Sequence, residues 1–205
     1  MEAFLNGVLA GYGIAIPVGA IAVLIIEVGM RCGFRCGAFA GAGAASADLL
    51  YATAAVVGGA ALAGTVESVE TELKYASGAV LAGIAIAGLL RIRRDRREPV
   101  PVTVLPDRSE LRATYARFLG LTIINPLTIA YFAAFVVGLG LADGLSAAGG
   151  VAFVAGAFLA SLSWQLLLAG VGAVAGHALP DRVRVATILL GNLLVLGLAL
   201  VIVLR

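Results

Sequence analysis

Apolar residues follow one another in long blocks that are separated by short polar segments. A helix rises 1.5 Å per residue, so about 20 apolar residues cross a hydrocarbon core about 30 Å thick. The blocks do not show the alternation, in segments of about 10 residues, that is typical of membrane β-barrels. The predicted fold class is therefore all-α, a polytopic membrane protein with six transmembrane helices. These spans are predicted at about 4–28, 38–64, 74–90, 117–141, 147–175 and 184–204.

Composition agrees with an integral membrane protein. Hydrophobic residues make up 61% of the chain and charged residues 13%, whereas soluble domains are about half apolar and a quarter charged. The 27 glycines let helix backbones approach closely in a membrane, so we expect tight helix packing. No basic segment precedes the first apolar block and no cleavage motif follows it, so we interpret it as a span and not as a signal peptide.

Basic residues divide unequally between the two ends of the predicted spans. Six spans place segments 31–37, 91–117 and 176–184 on one side, and these contain twelve of the 14 Lys and Arg residues. The opposite side contains Lys74 and Arg205. The positive-inside rule then predicts a plasma-membrane protein with these three segments in the cytoplasm and both termini outside.

The Arg- and Pro-rich segment 91–116 is predicted to link two halves of one transmembrane domain, 1–205. Three spans precede the linker in residues 1–90 and three follow it in residues 117–205. Because three is an odd number, the second half must cross the membrane in the opposite sense. The sequence thus predicts two inverted three-helix repeats.

Prolines interrupt the first span of each half at corresponding places. Pro17 lies within "IAIPVGAIAV" and Pro126 within "TIINPLTIAY". Interrupted helices at matching positions of inverted halves indicate a transporter's substrate site, because the broken turns free backbone groups. Asn125 precedes Pro126, and its amide can both donate and accept hydrogen bonds. We predict a binding site near the membrane midplane at these breaks.

Asp48 is the one charged residue predicted to lie deep within a span. An aspartate there costs about 2.5 to 3.5 kcal/mol even on insertion scales. We interpret it as a proton-exchanging group or as the partner of a substrate amine. The alternative is a protonated side chain that bonds a neighbouring helix. Span five has its own polar cluster, for which bonding between helices is likewise an alternative to substrate binding; the cluster contains Ser161, Ser163, Trp164 and Gln165.

Charged and sulfur-containing residues gather near the end of the first span. Glu27 and Arg31 have the i,i+4 spacing of a helical ion pair, with a gate contact as the alternative. Cys32 and Cys36 are predicted to be reduced structural thiols, because the cytoplasm disfavours disulfides. No further ligands accompany them, so we predict no metal site.

Four segments together resemble the LysE family of amino-acid exporters: "AIPVGAIAVL", "RCGFRCGAFAGAGAASADLLYA", "INPLTIAYFAAFVVGLGL" and "GAFLASLSWQLLLAGVGA". The resemblance implies a secondary transporter that exports amino acids or related small molecules with the help of the proton gradient. Family members usually have a second proline at the position of Ala20 and often a second tryptophan at that of Gln165. Residue by residue, the resemblance implies a site that includes Pro17, Gly19, Asp48, Asn125, Pro126 and Trp164.

Other function classes fit these residues less well. Metal-ion efflux needs clustered ligands at depth, and Asp48 alone is too few. Membrane electron carriers need cysteines in two different spans, whereas both cysteines here lie in one loop. A non-transporting assembly partner is a further alternative, and glycine-rich helix faces would also serve a homodimer. No enzyme or nucleotide motif is present, so we expect no enzyme, no cofactor and no nucleic-acid partner. The expected partners are the substrate, protons and the lipid bilayer.

Overall fold

The computed structural model describes residues 1–16, 19–68, 70–95, 107–125, 128 and 145–204. Pro17 and Pro126, two predicted site residues, lie outside the described residues. Within the described part every regular element is a helix, and there are seven. They are α1 (Glu2–Ala15), α2 (Ala20–Cys32), α3 (Phe34–Ser68), α4 (Glu70–Asp95), α5 (Arg108–Ile123), α6 (Ala147–Ala178) and α7 (Asp181–Leu204).

The first predicted span consists of two helices. α1 ends at Ala15 and α2 begins at Ala20, and the two helices are bent by 78° relative to each other. The interruption surrounds the predicted break at Pro17. The second helix also continues past the predicted end of the span, to Cys32.

A one-residue turn joins α2 to α3. Gly33 adopts a φ of +82° there, in a region that glycine reaches without the steric penalty a Cβ would bring. The turn brings the Cα atoms of Cys32 and Cys36 to 5.7 Å from each other. This separation lies in the usual range for disulfides. The two predicted thiols therefore lie close together, and their reduced state stays a prediction.

Two boundaries differ from the predicted ones because the helices are longer. α3 continues to Ser68 and α4 starts at Glu70, across most of the predicted loop 65–73. α5 begins at Arg108, inside the predicted linker, because the Asp107 side chain accepts a hydrogen bond from the Ser109 backbone N–H as an N-cap. That bond holds the pKa of the exposed Asp107 carboxyl below its usual value. The predicted fourth span beyond Asn125 lies almost wholly outside the described residues.

Within the described residues, two stretches are long and apolar enough to cross a membrane as single helices. They are Phe34–Gly58 of α3 and all of α6. The bent pair of α1 and α2 is a third candidate if it counts as one span, and α4 and α7 contain shorter apolar stretches. The all-helical fold is as predicted, whereas six spans in two inverted repeats are not established by these helices.

Helix α6 is the centre of the packing. It contacts α1, α2 and α3, while α3 also packs on α5, and α7 packs on α4 and α2. Glycines make the closest approaches. A Cβ placed on Gly172 of α6 would lie 2.3 Å from the carbonyl oxygen of Ile26 in α2. The expected tight packing is thus present, and it places the middle of α3 directly against the middle of α6.

Candidate functional site

Asp48 of α3 and Ser161 of α6 meet in the interior of the protein. The Ser161 hydroxyl donates a hydrogen bond of 2.5 Å to Oδ2 of Asp48. Asp48 is 3% exposed and Ser161 is fully buried. Asp48 lies about 21 Å along α3 from Phe34 at 1.5 Å per residue, near the middle of the apolar stretch. The charged residue predicted to lie deep in a span therefore has a polar partner from a different helix.

Two further hydrogen bonds lie at nearly the same level. The hydroxyls of Tyr12 in α1 and Ser163 in α6 are 2.9 Å apart, and the Tyr115 hydroxyl of α5 donates to Ser46 of α3 over 2.9 Å. The helices pack in the order α1, α6, α3, α5, so each of the three interfaces carries one of these bonds. We call this set the polar layer; it consists of Tyr12, Ser46, Asp48, Tyr115, Ser161 and Ser163.

Tyr51 connects the neighbourhood of Asp48 to the predicted Asn-Pro break. It lies nearly one turn after Asp48 on α3, and its hydroxyl donates to the backbone carbonyl of Ile123, the last residue of α5. Asn125 follows, and its backbone N–H bonds the carbonyl of Thr122. Sequence reasoning named Asn125 but missed Tyr51. The signal was a tyrosine spaced i,i+3 from a buried aspartate, which places the two side chains on one helix face.

The remaining predicted residues of span five separate onto different faces of α6. Ser163 bonds Tyr12 of α1, whereas Ser161 bonds Asp48 of α3. Gln165 is 6% exposed, and its Cβ lies against Gly41 of α3. Trp164 is half-buried against an apolar cluster with residues from every helix from α2 to α7.

Two polar atoms of these neighbouring residues lack partners. The indole Nε1 of Trp164 and the amide Oε1 of Gln165 are buried and make no hydrogen bond within the described part of the chain. Gly19, which was predicted as a site residue beside Pro17, has an extended backbone and directly precedes α2. The structure thus brings Asp48 into contact with Ser161. It also places Gln165 in the same interface, between α3 and α6.

Glu27 has two partners near the far end of α2. The predicted i,i+4 pair with Arg31 is present, with 2.9 Å between Arg31 Nε and Glu27 Oε1. The other carboxylate oxygen accepts from Nδ2 of Asn192 in α7 over 2.8 Å. Asn192 is 1% exposed, and sequence reasoning missed it, although an asparagine inside the apolar run "LLGNLLVLG" was a visible signal.

A comparison with family models matches residues 13–205 to the LysE type translocators. The chain therefore belongs to the LysE type translocator family. This membership implies a membrane exporter of amino acids or related compounds, and such proteins are transporters and not enzymes. No curated protein and no solved structure gives a significant match.

Proposed function

We propose that this protein is a proton-coupled secondary exporter of amino acids or related small metabolites, with its site in the polar layer. The observation that carries the proposal is the buried hydrogen bond between Asp48 and Ser161. An intramembrane carboxylate is costly and in transporters marks a substrate or proton path. We assign Asp48 as the group that exchanges the proton, and we place substrate beside it between the two halves.

The partner of Asp48 is suited to a change of protonation. A carboxylate only accepts hydrogen bonds, whereas a carboxylic acid also donates one. The Ser161 hydroxyl can do both, so the same two oxygens stay bonded when Asp48 gains a proton and the bond reverses its direction. Protonation can then alter the charge of the site without breaking the contact between α3 and α6.

Helix packing supports six spans in two inverted repeats. In that scheme α1 and α2 form span one, α3 span two, α4 span three, α5 begins span four, and α6 and α7 form spans five and six. Exchanging the halves converts the contact of α1 with α6 into that of α5 with α3, and both contacts are present. The contacts of α3 with α6 and of α4 with α7 each convert into themselves.

We orient the protein with both termini outside, following the distribution of basic residues. Glu27 then lies toward the cytoplasm, because its neighbour Ile26 packs against Gly172, about 16 Å along α6 from Ser161 at 1.5 Å per residue. Beyond it, Met30 and Ile188 form a small apolar cluster. We propose that Glu27, Arg31 and Asn192 close the cytoplasmic side as a gate between α2 and α7.

Replacement of Asp48 by asparagine tests the proton assignment. Asp48→Asn keeps the shape of the side chain and its contact with Ser161 but cannot exchange a proton. In proteoliposomes with an imposed pH gradient, we expect the variant to stop accumulating radiolabelled amino acids. Wild-type and variant protein should elute identically from a size-exclusion column. The matched control is Glu110→Gln, which neutralises an exposed acid in α5 and should transport normally. Uphill transport at the wild-type rate by Asp48→Asn would contradict the proposal.

A further inference from the structure

Trp164 and Gln165 end in buried polar atoms that have no partner in the described residues. More than about 90% of buried polar groups in proteins are hydrogen-bonded, so neighbouring exceptions in one helix need an explanation. The two atoms have opposite character. The indole Nε1–H only donates, whereas the amide Oε1 only accepts.

Gln165 lies in the interface that contains Asp48. It follows Ser161 by four residues, so both side chains project from one face of α6, about 5 to 6 Å apart. Opposite them on α3, Gly41 contacts the Cβ of Gln165, and Asp48 follows Gly41 by two helical turns on the same face. Between these positions Ala44 is fully buried and is small, so it leaves α3 and α6 close together there.

Trp164 directly precedes Gln165 on α6. Its side chain packs against the apolar cluster that includes Ala40 and Ala44 of α3 together with residues of the other helices from α2 to α7. A donor and an acceptor thus occupy adjacent positions in the helix that packs against α3. Neither a metal ion nor an ammonium group alone would use the indole N–H, because both lack an acceptor.

We propose that these atoms recognise a zwitterionic amino acid: Gln165 Oε1 and Asp48 accept hydrogen bonds from its ammonium group, and Trp164 Nε1 donates to its carboxylate. This assignment rests on the proposed exporter function. An ammonium nitrogen has three N–H donors, and two bonds of about 2.8 Å can join acceptors up to about 5.6 Å apart. That reach matches the separation of about one helical turn between Gln165 and Ser161, and Ser161 is the residue that bonds Asp48.

The assignment makes stability and binding respond in opposite directions. A buried polar atom without a partner destabilises the substrate-free protein, since it lost water on folding and gained nothing. Gln165→Met removes that atom while nearly keeping the side-chain volume. It should leave the substrate-free protein equally or more stable, yet weaken substrate binding. A purely structural glutamine would show the reverse, with lower stability and unchanged binding.

The experiment uses the full-length protein in detergent and in proteoliposomes. The probe is the amino acid with the fastest counterflow among the twenty standard ones, with its decarboxylated amine and its 2-hydroxy acid as competitors. For Gln165→Met we expect an unchanged or higher melting temperature and a KM raised about tenfold, as loss of a hydrogen bond to a charged group predicts. Competition by the amine should weaken, and competition by the hydroxy acid should not.

Trp164→Phe should give the opposite pattern, because it removes the donor and keeps an aromatic ring. Competition by the hydroxy acid should weaken and competition by the amine should persist. The matched control is Leu167→Met, an exposed position of the same helix, which should resemble the wild type. Trp164 is the single tryptophan of the chain, so quenching of its emission by the amino acid gives an independent measure of binding in Gln165→Met.

Two results separate this inference from the proposed function. If Asp48→Asn abolishes uphill transport but Gln165→Met keeps the wild-type KM or lowers the melting temperature, the recognition scheme is wrong and the exporter proposal stands. If none of the twenty amino acids supports counterflow, the proposed function fails and the recognition scheme fails with it.

Discussion

The Oγ atom of Ser161 lies 2.5 Å from Oδ2 of Asp48, although 113 residues separate them in the chain. Both side chains are almost fully buried, and each lies in the middle of a long apolar helix. The bond joins the first half of the chain to the second at one depth, with a hydrogen bond at each neighbouring interface. It places Asp48, the buried acid of the described residues, between helix α3 and helix α6.

Removing the Ser161 hydroxyl should impair both transport and stability. In Ser161→Ala, Asp48 loses a donor in a buried setting, which costs about 1 to 3 kcal/mol. We expect gradient-driven uptake into proteoliposomes to fall at least about tenfold, as an energy of about 1.4 kcal/mol implies. Ser161→Thr keeps the hydroxyl and should retain most activity. Thr53→Ala is the control, since exposed Thr53 bonds only its own helix backbone at Leu49; equal losses in both alanine variants would contradict the prediction.

Two glycines of α6 should respond differently to the same substitution. Gly172→Ala places a Cβ 2.3 Å from the carbonyl oxygen of Ile26, whereas a Cβ at Gly170 meets nothing within 4 Å. Gly170→Ala should be neutral or stabilising by up to about 1 kcal/mol through helix propensity. Gly172→Ala should destabilise, because α2 must move away from α6. Melting temperatures of the two purified variants decide this, and an equal change in both would show that the helices do not pack as closely as described.

Loss of Asn192 should open the proposed gate. Asn192→Leu removes the bond to Glu27 Oε2 and leaves the carboxylate with its Arg31 partner. We expect faster passive efflux of preloaded amino acid from proteoliposomes and a smaller gradient-driven accumulation. Thr187→Val is the matched control on α7, because exposed Thr187 bonds the backbone of its own helix at Val183. Unchanged efflux in Asn192→Leu would leave Asn192 a packing residue and not part of a gate.

The N-cap at Asp107 should make the start of α5 sensitive to acid. The hydrogen bond from the Ser109 backbone N–H lowers the pKa of the Asp107 carboxyl in the folded state. A folded-state pKa below the unfolded one means that the stabilisation is present above the unfolded value, near pH 4, and is lost as the pH falls through the folded value. Asp107→Ala should therefore lower the melting temperature at pH 7, and the difference from wild type should shrink at acidic pH. Asp107→Ser, which can still cap the helix, should show little pH dependence.

Much of the helical plan follows from local patterns in the sequence. Long apolar runs predict helices because no other open structure satisfies its backbone inside a membrane. All seven helices overlap predicted spans, and α1 and α2 share the first one. The pair Glu27 and Arg31 was predictable because i,i+4 spacing brings side chains together within one helix. The interruption near Pro17 was predictable because proline cannot continue a helix.

Pairings between distant residues could not be predicted in this way. Ser163 and Ser161 are two positions apart, and only the rotation of α6 against α1 and α3 decides that Ser163 bonds Tyr12 while Ser161 bonds Asp48. The same holds for Tyr51 at the end of α5 and for Asn192 beside Glu27. Helix periodicity determines which residues share a face, but it does not determine which helix lies opposite.

The sequence by itself therefore determined the membrane class, the family, most helices and the position of Asp48 inside a long apolar helix, since all of these depend on composition, motif and residue spacing along one chain segment. The tertiary structure decided the partner of Asp48, the two-sided environment of Glu27, the approach of Cys32 to Cys36 across the Gly33 turn and the unpaired atoms of Trp164 and Gln165. These features depend on the register between helices. Glycines such as Gly172 set that register, because they allow one helix to approach another closely only at particular positions.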